Sequence, residues 1–135
     1  MAVFIDTGVF VAANNKSDRN HARATQLMMQ ALEGKFGEIF TSDYVIDESI
    51  TTALARTRDH RIAISTGSFI IESPRIQKIY TNENEFETAW GKFQKLGKKP
   101  ISFTDCVSLS HIEKKKIERI MSFDSGFDGL VARIP

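Results

Sequence analysis

The prediction of the fold rests on one stretch near the start of this sequence, Val3-Phe4-Ile5-Asp6-Thr7-Gly8-Val9-Phe10. Ala2 to Ile5 is an apolar run, which is typical of a short buried strand. The run ends on a carboxylate, Asp6, and the next apolar run, Val9 to Ala13, is typical of a short helix. A charged group therefore stands where a core strand ends, at the edge where open α/β sheets bind ligands. Capping of the helix by Asp6 or Thr7 is the alternative explanation.

Length and composition indicate one domain that spans residues 1–135. The chain is 41% hydrophobic and 26% charged, which is ordinary for a folded protein with a real core. Its net charge of +1 gives no global signal of nucleic-acid binding, so any basic surface must be local. The single cysteine, Cys106, excludes an intramolecular disulfide, and its apolar context predicts a core position. With no secretory signal and no apolar run of about 18 residues, we expect a cytoplasmic protein without a membrane segment.

Segments with strand and helix character alternate along the chain. The predicted strands cover residues 2–5, 39–41, 75–80, 117–123 and 130–134, and the predicted helices cover 9–13, 19–33, 44–57, 62–71, 82–96 and 102–115. Such alternation favours parallel pairing of the strands. We therefore predict an α/β fold, a three-layer α/β/α sandwich with a mainly parallel central sheet of four to five strands.

Four acidic residues lie at the ends of predicted strands or in the first turns of the following helices: Asp6, Glu48, Asp105 and Asp124. Because these places share one edge of a parallel sheet, the four side chains can meet. Clustered carboxylates repel one another unless a cation lies among them. Oxygen-rich sites suit Mg²⁺ or Mn²⁺, which support cleavage of phosphate esters by activating water and stabilising charge on the leaving oxygen. The pattern thus favours a metal-dependent hydrolase of phosphate esters.

Each of these acidic residues also has a purely structural explanation. Ser102 and Asp105 fit a capping box at a helix start. The segment Asp124-Ser125-Gly126 fits a turn in which the aspartate bonds its own backbone. Glu48 can be a solvated helix charge, and its neighbour Asp47 is a rival for its place because a helical wheel puts Asp47 nearer to the apolar side. The residue pattern by itself leaves these alternatives open.

Taken together, the short motifs around the acidic residues resemble the PIN domain family over nearly the whole chain. The motifs are Val3-Phe4-Ile5-Asp6-Thr7, Ser42-Asp43-Tyr44-Val45-Ile46-Asp47-Glu48, Phe103-Thr104-Asp105 and Phe123-Asp124-Ser125-Gly126-Phe127-Asp128. The resemblance implies a Mg²⁺- or Mn²⁺-dependent endoribonuclease that cleaves single-stranded or loop RNA. Small members of this family are often toxins of the VapC type that an antitoxin restrains, so the resemblance also implies an antitoxin protein as a partner.

The resemblance further implies a role for individual residues. By residue match, the catalytic quartet is Asp6, Glu48, Asp105 and Asp124, the metal ligands are Asp6, Asp105 and Asp124, and the accessory residues are Thr7, Thr104 and Asp128. The match favours Glu48 over Asp47. Histidine is not needed as a base, and we leave His21, His60 and His111 out of the chemistry.

Binding of an RNA backbone requires cationic side chains near the acidic residues. The candidates are Arg56, Arg58 and Arg61 near the end of the Glu48 helix, and Lys98 and Lys99 before Asp105. Trp90 and Phe93 lie on the apolar stripe of their helix, which predicts a core position or a dimer interface. Homodimer formation is otherwise implied only by the family resemblance.

Two other functions compete with the nuclease. The first is a catalytically inactive RNA-binding or assembly module of the same fold, although a scaffold has no use for clustered carboxylates. The second is a phosphatase or a phospho-acceptor domain, in which an aspartate reacts with phosphate beside a lysine such as Lys98 or Lys99. The start Asp6-Thr7-Gly8 lacks the second acid two residues on that such domains carry.

Overall fold

A five-stranded parallel sheet forms the centre of the computed structural model, which describes residues 1–135. The strands are β1 (Ala2–Ile5), β2 (Glu38–Ser42), β3 (Ile76–Ile79), β4 (Arg119–Met121) and β5 (Ala132–Ile134), in the spatial order β3-β2-β1-β4-β5. Every neighbouring pair of strands is parallel. The last strand lies at one edge, as the sequence predicted.

Six helices flank the sheet, and the predicted three-layer α/β fold is confirmed. They are α1 (Thr7–Ala13), α2 (His21–Leu32), α3 (Asp43–Thr57), α4 (His60–Glu72), α5 (Glu83–Lys95) and α6 (Phe103–Lys115). Among their closest packing partners, α3 lies against α4 and α5 lies against α6. None of these helices has both the length and the apolar character that crossing a membrane requires.

The apolar run at the start of the chain forms the central strand, β1. Val3, Phe4 and Ile5 are completely buried, because β1 is covered on both faces and has a strand on either side. Phe4 is in register with Phe40 of β2 and with Ile120 of β4. These residues belong to one hydrophobic cluster, in which Cys106 is also buried as predicted.

The order of the strands places a crevice next to β1. The chain proceeds from β1 to β2 and β3 on one side, and then returns to form β4 on the other side of β1. At such a switch point, the connections that leave the two neighbouring strands diverge and leave room for a ligand. The backbone amide of Asp6 donates to the carbonyl of Met121 at 3.0 Å, so the carboxyl ends of β1 and β4 are joined where this crevice opens.

Two predictions about local structure were wrong. Strand β4 ends at Met121 and not at residue 123. The Ser122 amide still donates to the carbonyl of Ile134 at 3.0 Å, but the amide of Asp124 then donates to a side chain, Ser122 Oγ, at 3.0 Å. The core alternative for Trp90 and Phe93 also fails, since their side chains are 51% and 36% exposed. Helix amphipathicity identified their stripe correctly, but the neighbouring elements cover only part of it.

Candidate active site

A polar cleft of about 990 Å³ opens at the carboxyl ends of β1 and β4. Only two of its 17 lining residues are hydrophobic, so it differs from an ordinary apolar ligand pocket. All four acidic residues that the sequence singled out line it: Asp6, Glu48, Asp105 and Asp124. The sheet edge therefore brings together side chains that are up to 118 positions apart in the chain.

Asp6 lies at the base of this cleft and is only 6% exposed. Its Oδ2 accepts a hydrogen bond from Ser122 Oγ at 2.7 Å, whereas its Oδ1 is buried and has no partner in the protein. Asp6 occupies the N-cap position of α1, but its side chain makes no capping hydrogen bond. Capping by Asp6 is therefore the wrong explanation. A buried carboxylate oxygen without a donor is costly unless a ligand supplies one.

The electrostatic environment of Asp6 and Asp105 is unfavourable to negative charge. Burial raises the pKa of Asp6 to about 7, and the Asp105 carboxylate adds to this rise, while the hydrogen bond from Ser122 opposes it. Burial likewise raises the pKa of Asp105, and the charges of Asp124 and Glu48 act in the same direction. The cleft thus holds acids that repel one another, which is an electrostatic condition that a bound metal ion would relieve.

Asp105 combines a structural role with a place in the cleft. It is the third residue of α6, and its Oδ2 accepts from the amide of Ser102 at 3.1 Å while its own amide donates to Ser102 Oγ at 3.0 Å. The predicted capping box is therefore present. The box occupies only Oδ2, and Oδ1 makes no hydrogen bond with the protein. Capping fixes the orientation of Asp105 and does not exclude a ligand.

Asp124 shows the same division between its two oxygens. Its Oδ1 accepts from the amide of Gly126 at 2.8 Å, as the predicted turn requires, and its Oδ2 has no protein partner. Ser122 connects this residue to Asp6, because the Ser122 hydroxyl donates to Asp6 and accepts from the Asp124 amide. Sequence reasoning missed Ser122. Its signal was a small polar residue directly after an apolar strand and two positions before an acid.

Helix α3 supplies one wall of the cleft through residues four positions apart. Glu48, Thr52 and Arg56 line the cleft, whereas Asp47 is exposed outside it. The buried stripe of α3 runs through Val45, Ile46, Ser49 and Ala53. The helical wheel favoured Asp47 because it took Ile50 and Leu54 as the apolar centre, and Leu54 is 38% exposed. Of the two acids, Glu48 is thus the one in the cleft.

Several other predicted residues lie elsewhere. Thr7 and Arg56 line the cleft, but the following do not: Thr104, Asp128, Arg58, Arg61, Lys98 and Lys99. Asp128 accepts two hydrogen bonds from Arg133, at 2.8 and 3.2 Å, and this bond and charge hold the pKa of Asp128 below its usual range. Arg61 pairs with Asp59 next to it. Short sequence separation from an acidic motif did not predict a position in the cleft.

The loop between α1 and α2 forms a rim that the sequence did not assign to the site. The rim residues are Asn15, Ser17, Asp18, Arg19 and Asn20. Arg56 Nη1 lies 3.7 Å from Asp18 Oδ2, which connects this rim to α3. The sequence indicated only a polar break here. The cleft is therefore acidic at its base and carries two arginines, Arg19 and Arg56, at its mouth.

The acidic base is rich in carboxylate oxygens, the ligands that divalent cations such as Mg²⁺ prefer. No group of three acidic, histidine or cysteine side chains is arranged to hold a metal ion. Mg²⁺ does not need one, because it keeps several water ligands and binds through one or two carboxylates. Asp6 Oδ1 is the buried oxygen that lacks a donor. Asp105 and Asp124 likewise each have one carboxylate oxygen that makes no hydrogen bond with the protein.

Comparison with known proteins identifies the family. The family model described as PIN domain matches residues 3–131. The chain belongs to the PIN domain family. A VapC ribonuclease from Archaeoglobus fulgidus is 28% identical over 131 residues, which cover 94% of this chain and 80% of that protein.

Solved PIN-like structures agree with the fold. VapC20 of Mycobacterium tuberculosis, a sarcin-ricin loop cleaving toxin, has a TM-score of 0.83 and 25% identity, with coverage of 95% of this chain and 94% of that chain. VapBC2 of Rickettsia felis, bound to a DNA fragment from its promoter, has a TM-score of 0.68 and 17% identity, with coverage of 99% and 98%. The second similarity concerns the fold alone.

The metal-free protein should lose stability as the pH rises. The pKa of Asp6 is about 7 in the fold against an ordinary 3.8, so the folded state binds this proton more tightly than the unfolded chain does. The free energy of unfolding should therefore fall by on the order of 4 kcal/mol as the pH rises from about 4 to about 7. Denaturant titration in EDTA measures this fall. Asp6→Asn should make this fall much smaller; equal slopes for both proteins would contradict the assignment.

Proposed function

We propose that this PIN domain protein is a metal-dependent endoribonuclease that cleaves single-stranded or loop RNA. The observation that carries the proposal is the buried Asp6 carboxylate, whose Oδ1 has no donor and whose neighbours in the cleft are three further acids. The ribonuclease activity of the Archaeoglobus fulgidus relative supports the reaction type. The single domain over residues 1–135 that the sequence predicted would carry the whole site.

The acidic residues of the cleft have different proposed roles. Asp6, Asp105 and Asp124 would hold Mg²⁺ or Mn²⁺ through oxygens that make no protein hydrogen bond. When bound, the ion supplies Lewis-acid activation of water and neutralises charge on the phosphate. Glu48 makes no hydrogen bond with the protein and remains free to orient water. Ser122 holds Asp6, and Thr7 Oγ1, which is buried and unpartnered, lies at the same base.

The mouth of the cleft suits a phosphate backbone. Arg56 and Arg19 line it, and arginine binds phosphate oxygens in a bidentate manner. This arginine-lined opening favours single-stranded RNA. The phosphates of the RNA are negatively charged, so they can approach the acids only if a cation lies between them. Four further cationic residues lie outside the cleft and would contact phosphates further along the RNA strand: Arg58, Arg61, Lys98 and Lys99.

An antitoxin protein is the proposed regulatory partner, and the cytoplasm is the proposed location, where cellular RNA is present. Several solved relatives are toxin–antitoxin assemblies, including a toxin-antitoxin complex from Klebsiella pneumoniae. We therefore assign this chain the toxin role of such a pair. An inactive RNA-binding or assembly module remains the alternative function, and it requires that the acids bind no metal.

A phosphatase or phospho-acceptor function is less well supported. These reactions need a lysine near the phosphorylated aspartate, and no lysine lines the cleft. Lys98 and Lys99, which the sequence offered for this role, lie outside it. The cations at the cleft are arginines, which bind phosphate without taking part in its transfer.

We also propose that two copies pair through α5. Phe86, Trp90 and Phe93 form an exposed aromatic face around Phe103, with side chains 45%, 51% and 36% exposed. A Cβ at Gly91 would meet nothing within 4 Å, so a second helix can approach closely here.

The charges of α5 favour an antiparallel pair. Glu83 and Glu87 lie in its first half, whereas Lys95 lies in its second half, and Lys92 there is already paired with Glu113 at 2.7 Å. In a two-fold arrangement, the acidic half of one α5 would face the basic half of the other. The aromatic faces would then meet at the centre of the interface, where aromatic residues contribute most to binding.

Substitution of the two adjacent acids on α3 tests the catalytic assignment. With Mn²⁺ or Mg²⁺ and a mixed-sequence single-stranded RNA, Glu48→Gln and Asp6→Asn should each lower the cleavage rate by at least about 100-fold. Asp47→Asn is the matched control and should cleave at the wild-type rate, because Asp47 lies outside the cleft. EDTA should stop all cleavage. A folded wild type that cuts no better than Asp6→Asn would favour the inactive module.

Substitution of Arg56 tests the path of the RNA. RNA affinity is measured by titration at several salt concentrations in the Asp6→Asn background, which prevents cleavage. Arg56→Gln should weaken binding and lower the slope of log affinity against log salt by about 0.7, as expected when one phosphate contact to a single strand is lost. Arg58→Gln is the control and should change the slope less. Equal effects of the two substitutions would place the RNA outside the mouth of the cleft.

Substitution of Trp90 tests the α5 interface. Wild type should sediment as a dimer, and Trp90→Glu should sediment as a monomer with an unchanged circular dichroism spectrum. Ile71→Glu, at a residue of α4 that is 52% exposed, is the matched control and should remain a dimer. A monomeric wild type, or a dimer that survives Trp90→Glu, would refute pairing through this face.

A further inference from the structure

A completely buried histidine lies outside the cleft and has no part in the proposed reaction. His111, in α6, is 0% exposed, and both of its ring nitrogens face oxygen atoms. Nδ1 lies 3.0 Å from Glu85 Oε2 in α5, and Nε2 lies 2.9 Å from Thr81 Oγ1 in the segment before α5. The ring thus connects α6 to α5 and to the segment before α5.

The hydroxyl of Thr81 cannot serve Nε2 as a donor. It already donates its only proton to Asp43 Oδ1 at 2.7 Å, and the amide of Thr81 donates to Asp43 Oδ2 at 3.0 Å. Toward the ring, Thr81 Oγ1 therefore offers only a lone pair, because a hydroxyl has one proton. Nε2 of His111 must be the donor in this contact.

Nδ1, the other ring nitrogen of His111, is also a hydrogen-bond donor in its contact. Burial raises the pKa of Glu85, but two groups other than the ring lower it: the Asn82 amide, which donates to this carboxyl, and the ammonium of Lys114, which lies 3.7 Å from Oε2. Glu85 is thus a carboxylate, which only accepts hydrogen bonds. Its Oε1 accepts from Asn82 at 3.1 Å, and its Oε2 faces Nδ1. Nδ1 must therefore donate as well.

We propose that His111 is an imidazolium in the folded protein and is a positioning residue that fixes the start of α3 against α5 and α6. A neutral ring would point a nitrogen lone pair at an oxygen lone pair across one of two contacts of hydrogen-bond length. Burial lowers the pKa of His111, and the carboxylates of Glu85 and Asp43 oppose this effect without cancelling it. The two contacts with acceptor oxygens, each of which needs a ring N–H, favour the imidazolium against this effect. The protonated ring and Lys114, whose side chain is 54% exposed, would together balance the charges of Glu85 and Asp43.

This chain of hydrogen bonds connects the elements that carry two acids of the cleft. Asp43 is the first residue of α3, and Glu48 follows on the same helix. His111 lies on α6, which carries Asp105 at its start and which contacts α3 directly. The chain from Asp43 through Thr81 to His111 therefore restrains the separation of Glu48 and Asp105. This consequence rests on the proposed nuclease function, whereas the protonation state does not.

Nitrogen NMR of the full chain, free of metal, tests the protonation state at neutral pH. Both ring nitrogens of His111 should carry a proton, with His21→Gln, His60→Gln and His111→Gln used to assign the signals. Glu85→Gln is the critical variant: its amide NH₂ takes the place of Oε2 and donates to Nδ1. The ring should then become neutral, with a proton on Nε2 only. A wild-type ring with a single protonated nitrogen would overturn the proposal.

Kinetics of RNA cleavage test the positioning role. Thr81→Val removes the hydroxyl that joins His111 to Asp43 and should lower kcat roughly 10-fold with little change in KM, because small displacements of reacting groups are costly. Thr81→Ser restores the hydroxyl and should restore kcat. Thr66→Val, at a buried threonine of α4 whose hydroxyl bonds Ile62, is the control for loss of stability. Equal kcat for Thr81→Val and Thr66→Val would overturn the positioning role.

The two experiments separate the proposals. A wild type that cleaves no RNA refutes the nuclease and with it the positioning of Glu48, and the NMR result still decides the charge of His111. If Thr81→Val does not fold, Thr81→Ala and Thr66→Ala replace the pair of valine variants. A roughly 10-fold lower kcat for Thr81→Ala supports the positioning role, and equal kcat values overturn it.

Discussion

The structure of this cleft depends on the burial of one carboxylate, that of Asp6, at the end of the central strand. Val3, Phe4 and Ile5 of β1 are completely buried, and Asp6, which follows this strand, is only 6% exposed. Ser122 satisfies one oxygen of Asp6, and no protein group satisfies the other. Burial and the neighbouring acids raise its pKa to about 7. The fold thus maintains a site that is electrostatically incomplete, which is the usual condition of a functional site.

Two other acids of the cleft each use only one carboxylate oxygen to accept a hydrogen bond from the local backbone. Asp105 completes a capping box and Asp124 completes a turn, and in each the second oxygen makes no protein hydrogen bond. Structural and functional explanations of these residues are therefore compatible. A local hydrogen bond fixes the side-chain orientation before any ligand binds, which reduces the entropy lost on binding. The buried group around His111 extends this rigidity to the helices behind the cleft.

Much of the fold and the composition of the acidic base could be predicted from the residues in order. The alternation of strands and helices indicated a parallel sheet, and the acids at strand ends indicated a common edge. Ser122 could not be predicted in the same way, because its importance comes from a hydrogen bond to Asp6, which is distant in the chain. Arg19 could not be predicted either, because only the packed structure places its loop at the cleft. Trp90 and Phe93 illustrate the converse: their periodicity is visible in the sequence, but their exposure depends on how far the neighbouring helices reach.

The sequence by itself determined the α/β class, the parallel sheet and the four acids that share its edge, because these follow from periodicity and from the alternation of element types. Tertiary structure alone decided that Glu48 and not Asp47 lines the cleft, and that Arg56 does so while Arg58 and Arg61 do not. The pattern of apolar residues on a helix is visible in the sequence, but the rotation of the helix about its axis is set by the elements that pack against it. Neighbouring residues of one helix therefore reach different surroundings, and only the packed structure shows which of them enters the site.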